Sequence, residues 1–407
     1  MSDLAYKAFE ATQKERGIDV SKVKTAIKDL KIETPSWGYG DSGTRFRVFK
    51  KPGVPRTPYE KFEDAAVVHK LTGTCPSVAI HIPWDKVKDY GDFQKHAQSL
   101  GLKIGAINPN VFQDDEYMFG SVCNANPDVR KKATDHLLEC VEIMRATKSD
   151  ILSLWFADGT NYPGQANIRN RKHWMEEALS TTCKAMDASQ RMLIEYKFFE
   201  PAFYHTDIAD WGMAFNLATK LGPKAEVLVD TGHHAPGTNV EHIVAYLLDE
   251  GKLGGFHFNS RKYADDDLIV GSTNPYELFL IFHEILAAKL DLAGPTAQRT
   301  AGRIAYMIDQ SHNIEPKIPA MIRSVLNVQT QYAKALLVNW TELAAAQASQ
   351  DVLRAEAAVR DAFEQDVTAL LQVVREELGA AADPMKAYAA SGYGEKILSR
   401  GTGGASW

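Results

Sequence analysis

The sequence predicts an α/β fold, a (β/α)8 barrel with an N-terminal helical preface and a C-terminal helical extension, and three observations carry that expectation. Eight short apolar runs rich in β-branched and aromatic residues recur along the chain. Segments with helical periodicity separate them, the pattern of a parallel sheet, and eight is the number that closes a barrel. No G-x-G-x-x-G and no G-x-x-x-x-G-K-[ST] follows any run, which counts against the competing open, doubly wound sheet.

In chain order, the first thirty residues read as two helices. Leu4, Ala5, Ala8 and Phe9 fall at helix spacing, and Ile18, Val20, Val23, Ile27 and Leu30 support the second. The strand candidates are TPSWGY (34–39), PSVAIHI (76–82), KIGAIN (103–108), DILSLWF (150–156), MLIEYK (192–197), EVLVD (226–230), GGFHFN (254–259) and AYMID (305–309). Between them, Ala133, Leu137, Leu138, Val141 and Met144 form one apolar helix face, and Tyr276, Phe279, Leu280, His283 and Leu286 belong to another. After Asp309 the pattern stays helical to about residue 380, and the closing SGYGEKILSRGTGGASW reads as loosely ordered or docked on a neighbour. The expected organisation is a barrel domain over 1–320 and a helical extension with a flexible tail over 321–407.

A chain of 407 residues is long enough to bury a large core without disulfides. Its 46 basic and 52 acidic residues leave a net charge of −6, which argues against a nucleic-acid groove and a polybasic membrane surface. Cys75, Cys123, Cys140 and Cys183 include no C-x-x-C and read as reduced thiols of a cytoplasmic protein. The most apolar stretch, LFLIFHEILAA (278–288), is interrupted by His283 and Glu284 and is too short to span a bilayer. The N-terminus has no apolar secretory core. The expectation is a soluble, cytoplasmic protein.

Function in such a barrel sits where the strands end. The last four strand candidates carry Glu195, Asp230, His257 and Asp309 in or beside runs that should otherwise be apolar. Buried carboxylates are costly unless paired or metal-bound, so a divalent cation is the natural neutraliser of the set. The bland alternative is four separate capping or salt-bridged residues. His233 follows Asp230 by three residues, and Asp265 and Asp267 follow His257 in YADDDL, so a second cation position is readable. Alone, ADDD reads better as a solvated acidic turn or helix start; beside the first cluster, the second cation position is the better reading. Trp37, His81, Asn108, Trp155 and Phe156 fall at the same mouth, where aromatic walls suit the apolar faces of a sugar. His81 and Trp155 also have plain readings as core residues.

In its E-x-K, D-x-x-H, strand-borne His, D-x-D and final Asp, the sequence resembles the xylose-isomerase-like barrels. More closely it resembles the bacterial L-rhamnose isomerases of the non-enterobacterial type. The matching text is LWFADGTNYPGQ (154–165), IEYKFFEP (194–201), VDTGHHAPGTN (229–239), GGFHFNSRKYADDDL (254–268) and MIDQSHN (307–313). The resemblance implies that Glu195, Asp230, His257 and Asp309 hold a structural metal. It implies that His233, Asp265 and Asp267, with Asp230 bridging, hold a catalytic one. Lys197 matches a lysine at the reacting end of the sugar, and Trp37, His81 and Trp155 match substrate-pocket residues. The loop from Gly40 to Lys61 would close over the site, with Phe46 as its contributor. The resemblance further implies two divalent ions per subunit, Mn²⁺ or else Co²⁺, Zn²⁺ or Mg²⁺, and a homotetramer. The implied activity is aldose–ketose isomerisation of L-rhamnose, by metal-assisted proton transfer between oxygens and a hydride shift between C2 and C1.

Three other readings compete. Lyxose, mannose or allose differ from rhamnose by single hydroxyls or a methyl. A metal-dependent phosphodiesterase on the same barrel would want a third metal position and a basic groove, and the net charge opposes it. A non-catalytic sugar-binding barrel would have no use for a second cation.

Overall fold

A computed structural model describes residues 2–41, 48–200, 204–290, 294–311 and 314–403. Eight parallel strands close on themselves in sequence order. They are β1 (Glu33–Pro35), β2 (Ser77–Ile82), β3 (Lys103–Pro109), β4 (Ile151–Leu154), β5 (Arg191–Glu195), β6 (Ala225–Asp230), β7 (Leu253–Phe258) and β8 (Ala305–Ile308). The ring shuts where Glu33 of β1 pairs with Met307 of β8.

Period-two alternation sorts each strand between two cores. Val78, Ile80, Met192, Ile194, Val227 and Val229 point outward under the helices. Ala79, Ala106, Leu193, Leu228 and Met307 point inward and form an apolar layer across the barrel. Continuing inward parity by two residues reaches His81, Asn108, Glu195, Asp230 and Asp309, so the polar mouth rests directly on this layer. On β7, Phe256 and Phe258 stack outward with ring centroids 4.9 Å apart, which leaves His257 facing in.

The helices between strands cover the outside. Pro58–Thr72 is typical: the Thr57 side chain caps the Glu60 amide, Pro58 opens the first turn, and Gly73 ends the helix at φ 75°. The helix Lys317–Ala335 packs on both Pro275–Lys289 and Pro58–Thr72, which completes the outer ring after β8. A domain boundary at 320 therefore falls inside the last barrel helix. All four cysteines are buried and free. Among the described residues no helix is long and apolar enough to cross a membrane.

Several expected elements differ. The run 34–39 is not one strand: β1 stops at Pro35, and Trp37–Tyr39 forms a 3-10 turn. Proline carries no amide to extend the ladder. β4 and β5 stop at Leu154 and Glu195, which leaves Trp155 and Lys197 just past the strands. A three-stranded antiparallel sheet of Gly159–Thr160, Phe199–Glu200 and Tyr204–Thr206 joins the loops after β4 and β5. The described part of the tail, to residue 403, is docked on its own chain. Gly53 donates its amide to the Gly401 carbonyl at 2.9 Å, and Arg400 and Tyr393 both bind the buried Asp64, each within 3 Å.

Candidate active site

The mouth of the barrel holds a cavity of about 360 Å³. Its acidic side is built by the ends of β5 to β8. One ligand atom from each of Glu195, Asp230, His257 and Asp309 lies within 4.8 Å of the others. His257 Nδ1 sits 3.1 Å from Glu195 Oε2 and 3.4 Å from Asp309 Oδ2 without the alignment of a hydrogen bond. Trp37 Nε1 donates to the other oxygen of Asp309 at 2.8 Å and so orients it. The backbone amide of Gly232 and the Asn259 side chain donate to Asp230 Oδ1 at 2.6 and 2.9 Å.

The electrostatics show what this cluster lacks. Burial, with Glu195 and Asp309 adding to it, pushes Asp230 up to about 7. Burial and neighbouring carboxylates also push Asp267 and Asp309 up. Burial opposes the charged Glu195 too, but His257 and His233 beside it hold it down to about 2. Burial opposes protonation of His257, yet the Glu195 charge raises it to about 9. Three carboxylates and an imidazole nitrogen aimed at one point fit a divalent cation of the Mn²⁺, Co²⁺, Zn²⁺ or Mg²⁺ kind.

The second set lies against the first. His233 Nδ1 is 3.0 Å from the Tyr196 carbonyl oxygen and 3.1 Å from Glu195 Oε1. Donation from Nδ1 turns Nε2 toward the carboxylates, 3.1 Å from Asp265 Oδ1 and 4.0 Å from Asp230 Oδ2, where a cation would take the place of its proton. A histidine whose other nitrogen is held by a carbonyl is the usual arrangement of a metal ligand. Asp267 adopts φ 46°, a left-handed conformation uncommon for a residue with a side chain. It lies 3.5 Å from the Asn259 amide that also binds Asp230. In ADDD the middle residue does the capping: Asp266 accepts from the backbone amides of Lys262 and Tyr263. Asp265 and Asp267 instead line the cavity. This set is looser than the first, since His233, Asp265 and Asp267 do not gather as tightly about Asp230.

Lys197 closes one end of the cavity. Its Nζ binds Asp265 Oδ2 at 2.5 Å and Glu200 Oε2 at 2.6 Å, and stands 5.1 Å from the Trp155 ring centroid. Burial would favour the neutral amine, but Asp265 and Glu200 raise its pKa and keep it charged. The opposite wall is aromatic. His81 stacks on Trp84 at 3.8 Å and meets Trp37 edge-on at 5.6 Å, and Phe112 meets Trp155 at 4.7 Å. His81 Nδ1 and Trp155 Nε1 are buried without a hydrogen-bond partner among the described residues. Behind this wall Asp85 accepts from the His81 backbone amide at 2.8 Å, from Lys61 Nζ at 2.6 Å and from the Ser36 hydroxyl. That buried node fixes the turn that carries Trp37 and the strand end that carries His81.

The structure thus brings the seven candidate ligands, Lys197, Trp37, His81 and Trp155 to one mouth. Phe46 lies outside the described residues. Sequence reasoning missed Trp84, Phe112 and Glu200, which also line the cavity. One further group, Cys123, Asp158 and Asp207, is close enough to suggest a cation. There Arg171 already holds Asp207 with Nη2 at 2.7 Å and reaches the Cys123 carbonyl, so a guanidinium supplies the charge.

No family model matches the chain. A probable sugar isomerase of Rhizobium meliloti is 42% identical over 397 residues, covering 96% of this chain and 91% of its own. A xylose isomerase of Thermus thermophilus is 24% identical over 270 residues, covering 58% of this chain and 67% of its own. Among solved structures, an L-ribulose 3-epimerase superposes with a TM-score of 0.53 at 14% identity, over 76% of this chain and 98% of its own, a likeness of fold.

Proposed function

This chain belongs to the sugar isomerase family of its Rhizobium relative, and on that premise we propose that it is a metal-dependent aldose–ketose isomerase converting L-rhamnose to L-rhamnulose. The observation that carries this reading is the convergence of Glu195, Asp230, His257 and Asp309 beneath a cavity walled by aromatic rings. Glu195, Asp230, His257 and Asp309 would hold one cation, and His233, Asp265 and Asp267, sharing Asp230, a second, Mn²⁺ in both cases. Bound there, the cations supply Lewis acidity toward adjacent sugar oxygens.

The chain's own residues do the rest. Lys197, kept charged by Asp265 and Glu200, stabilises negative charge developing on the carbonyl oxygen while hydride passes from C2 to C1 and the O2 proton ends on O1. Trp37 and Trp155 bury the sugar's apolar faces and keep water from the reacting carbons. His81 Nδ1, buried and unpartnered, offers a hydrogen bond to a sugar hydroxyl. The reading includes a homotetramer acting in the cytoplasm.

A panel of L-rhamnose, lyxose, mannose and allose, run on metal-stripped and Mn²⁺-restored protein, tests this. The expected result is no turnover in the stripped protein and the highest kcat/KM on L-rhamnose after Mn²⁺. Full activity after exhaustive chelation ends the metal reading. A higher kcat/KM on another aldose ends the rhamnose assignment alone.

A further inference from the structure

Tyr196 stands between Glu195 and Lys197, and alternation turns its ring out of the cavity into the packed layer around the barrel. There its hydroxyl meets His234 Nε2 at 2.6 Å, with the two rings edge to face at 5.4 Å. Its carbonyl oxygen accepts from His233 Nδ1 at 3.0 Å. One residue past the end of β5 therefore grips two consecutive histidines of the loop after β6, the first through its backbone and the second through its side chain.

Neither half of the outer contact can exchange it for water, since Tyr196 and His234 are only 2% and 4% exposed. A buried polar group left without its partner is costly, so both ends hold the contact. The stretch before the histidines has no slack. A Cβ at Gly232 would stand 2.6 Å from Asn259 Oδ1 and 3.1 Å from Asp230 Oδ1. Thr231 Oγ1 is tied to the Asn259 carbonyl at 3.0 Å. The loop is thus pinned on both sides of His233: by Thr231 and Gly232 before it, and by the Tyr196–His234 contact after it.

We propose that the Tyr196–His234 hydrogen bond is a strut that sets where His233 presents Nε2 to Asp230 and Asp265, and thereby how tightly the second cation is held. The proposal rests on the reading of His233 as a ligand of that cation. Tyr196 touches neither sugar nor metal through its side chain, so it is a positioning residue. Moving His234 shifts the His233 backbone, and with it a ring nitrogen whose distances to two carboxylates decide the site.

Mn²⁺ alone, titrated into metal-stripped protein by calorimetry, reads the effect. The parental chain should show a tighter and a weaker class of site. Tyr196→Phe, which deletes one oxygen, should weaken the weaker class by about 10-fold and leave the tighter class unmoved. Its kcat should fall at limiting Mn²⁺ and recover at saturating Mn²⁺, with KM for the sugar unchanged. His234→Leu should behave alike, and the double variant no worse than either single one, because all three break the same bond. Parental affinity in both classes for Tyr196→Phe overturns the strut, as does equal loss in both. A parental chain with a single class of Mn²⁺ site overturns the two-cation reading, and the strut with it.

Discussion

At the floor of the barrel, Glu226 on β6 pairs with Arg191 on β5 at 2.9 Å and with Arg303 before β8. At the mouth of the same two strands, Glu195 and Asp230 pair with no arginine among the described residues. The two ends lie one apolar layer apart: Arg191, Leu193 and Glu195 share the inward face of β5, and Glu226, Leu228 and Asp230 that of β6. A second carboxylate of the floor, Glu33, is buried but accepts from the Ala106 amide at 2.9 Å and from the Ser77 side chain. It has that room because position 105 is glycine, where a Cβ would collide with the carboxylate. The floor closes its own charge. Among the described residues, the mouth sets Glu195, Glu200, Asp230, Asp265, Asp267 and Asp309 against Lys197, His233 and His257, and that imbalance is what a bound cation would remove.

The sharpest way to break this division is one neutral substitution at each end. In Mn²⁺-saturated protein, Glu195→Gln should lower kcat/KM by more than about 100-fold, because it removes a ligand rather than a support. Glu226→Gln should leave kcat and KM of the folded protein unchanged, yet cost about 3 kcal/mol in denaturant melts by leaving Arg191 uncompensated. Loss of turnover in folded Glu226→Gln would show that the floor is not purely structural.

A smaller effect separates the two halves of the mouth. Asp267→Asn should lose most of kcat while the sugar still binds, since the strand-borne ligands survive. In metal-stripped protein the same substitution should raise the melting temperature by about 2 °C, because it removes a carboxyl whose ionisation burial and the neighbouring carboxylates oppose. A parental kcat would make ADDD a turn and nothing more.

The smallest effect is a slope with pH. Asp230 rises from 3.8 to about 7, so its contribution to stability is fully present below 3.8 and is lost as pH climbs through 7. His257 rises from 6.5 to about 9 and loses its contribution as pH climbs through 9. The signs agree. Stripped protein should melt progressively lower from pH 5 to pH 9, and Mn²⁺ should flatten the curve. A stripped-protein melting temperature that rises with pH across that window contradicts the account.

How far the sequence reveals this site depends on where periodicity applies. Leu193 to Glu195, Leu228 to Asp230 and Met307 to Asp309 are steps of two along strands, so their facing can be read directly. Trp84 and Phe112 lie in loops after β2 and β3, where no period exists to aim a ring. Glu200 reaches Lys197 on a two-residue strand, too short to leave any pattern. The floor pair escapes for another reason. Arg191 and Glu226 open their strands, where apolar runs have barely begun, although the same alternation places them. The tail misleads through composition: its glycines and serines suggest looseness, while Tyr393 and Arg400 each find the one buried carboxylate of Asp64.

That last contact has a consequence for the order in which the chain can be built. Asp64 opens toward a guanidinium 336 residues downstream and a phenol 329 residues downstream. While the protein is being synthesised, the first barrel helix carries a carboxylate that cannot be matched until residues 393–400 leave the ribosome. The corner of the barrel translated early is therefore completed late, and a nascent chain halted before residue 393 would keep Asp64 in water and that corner open.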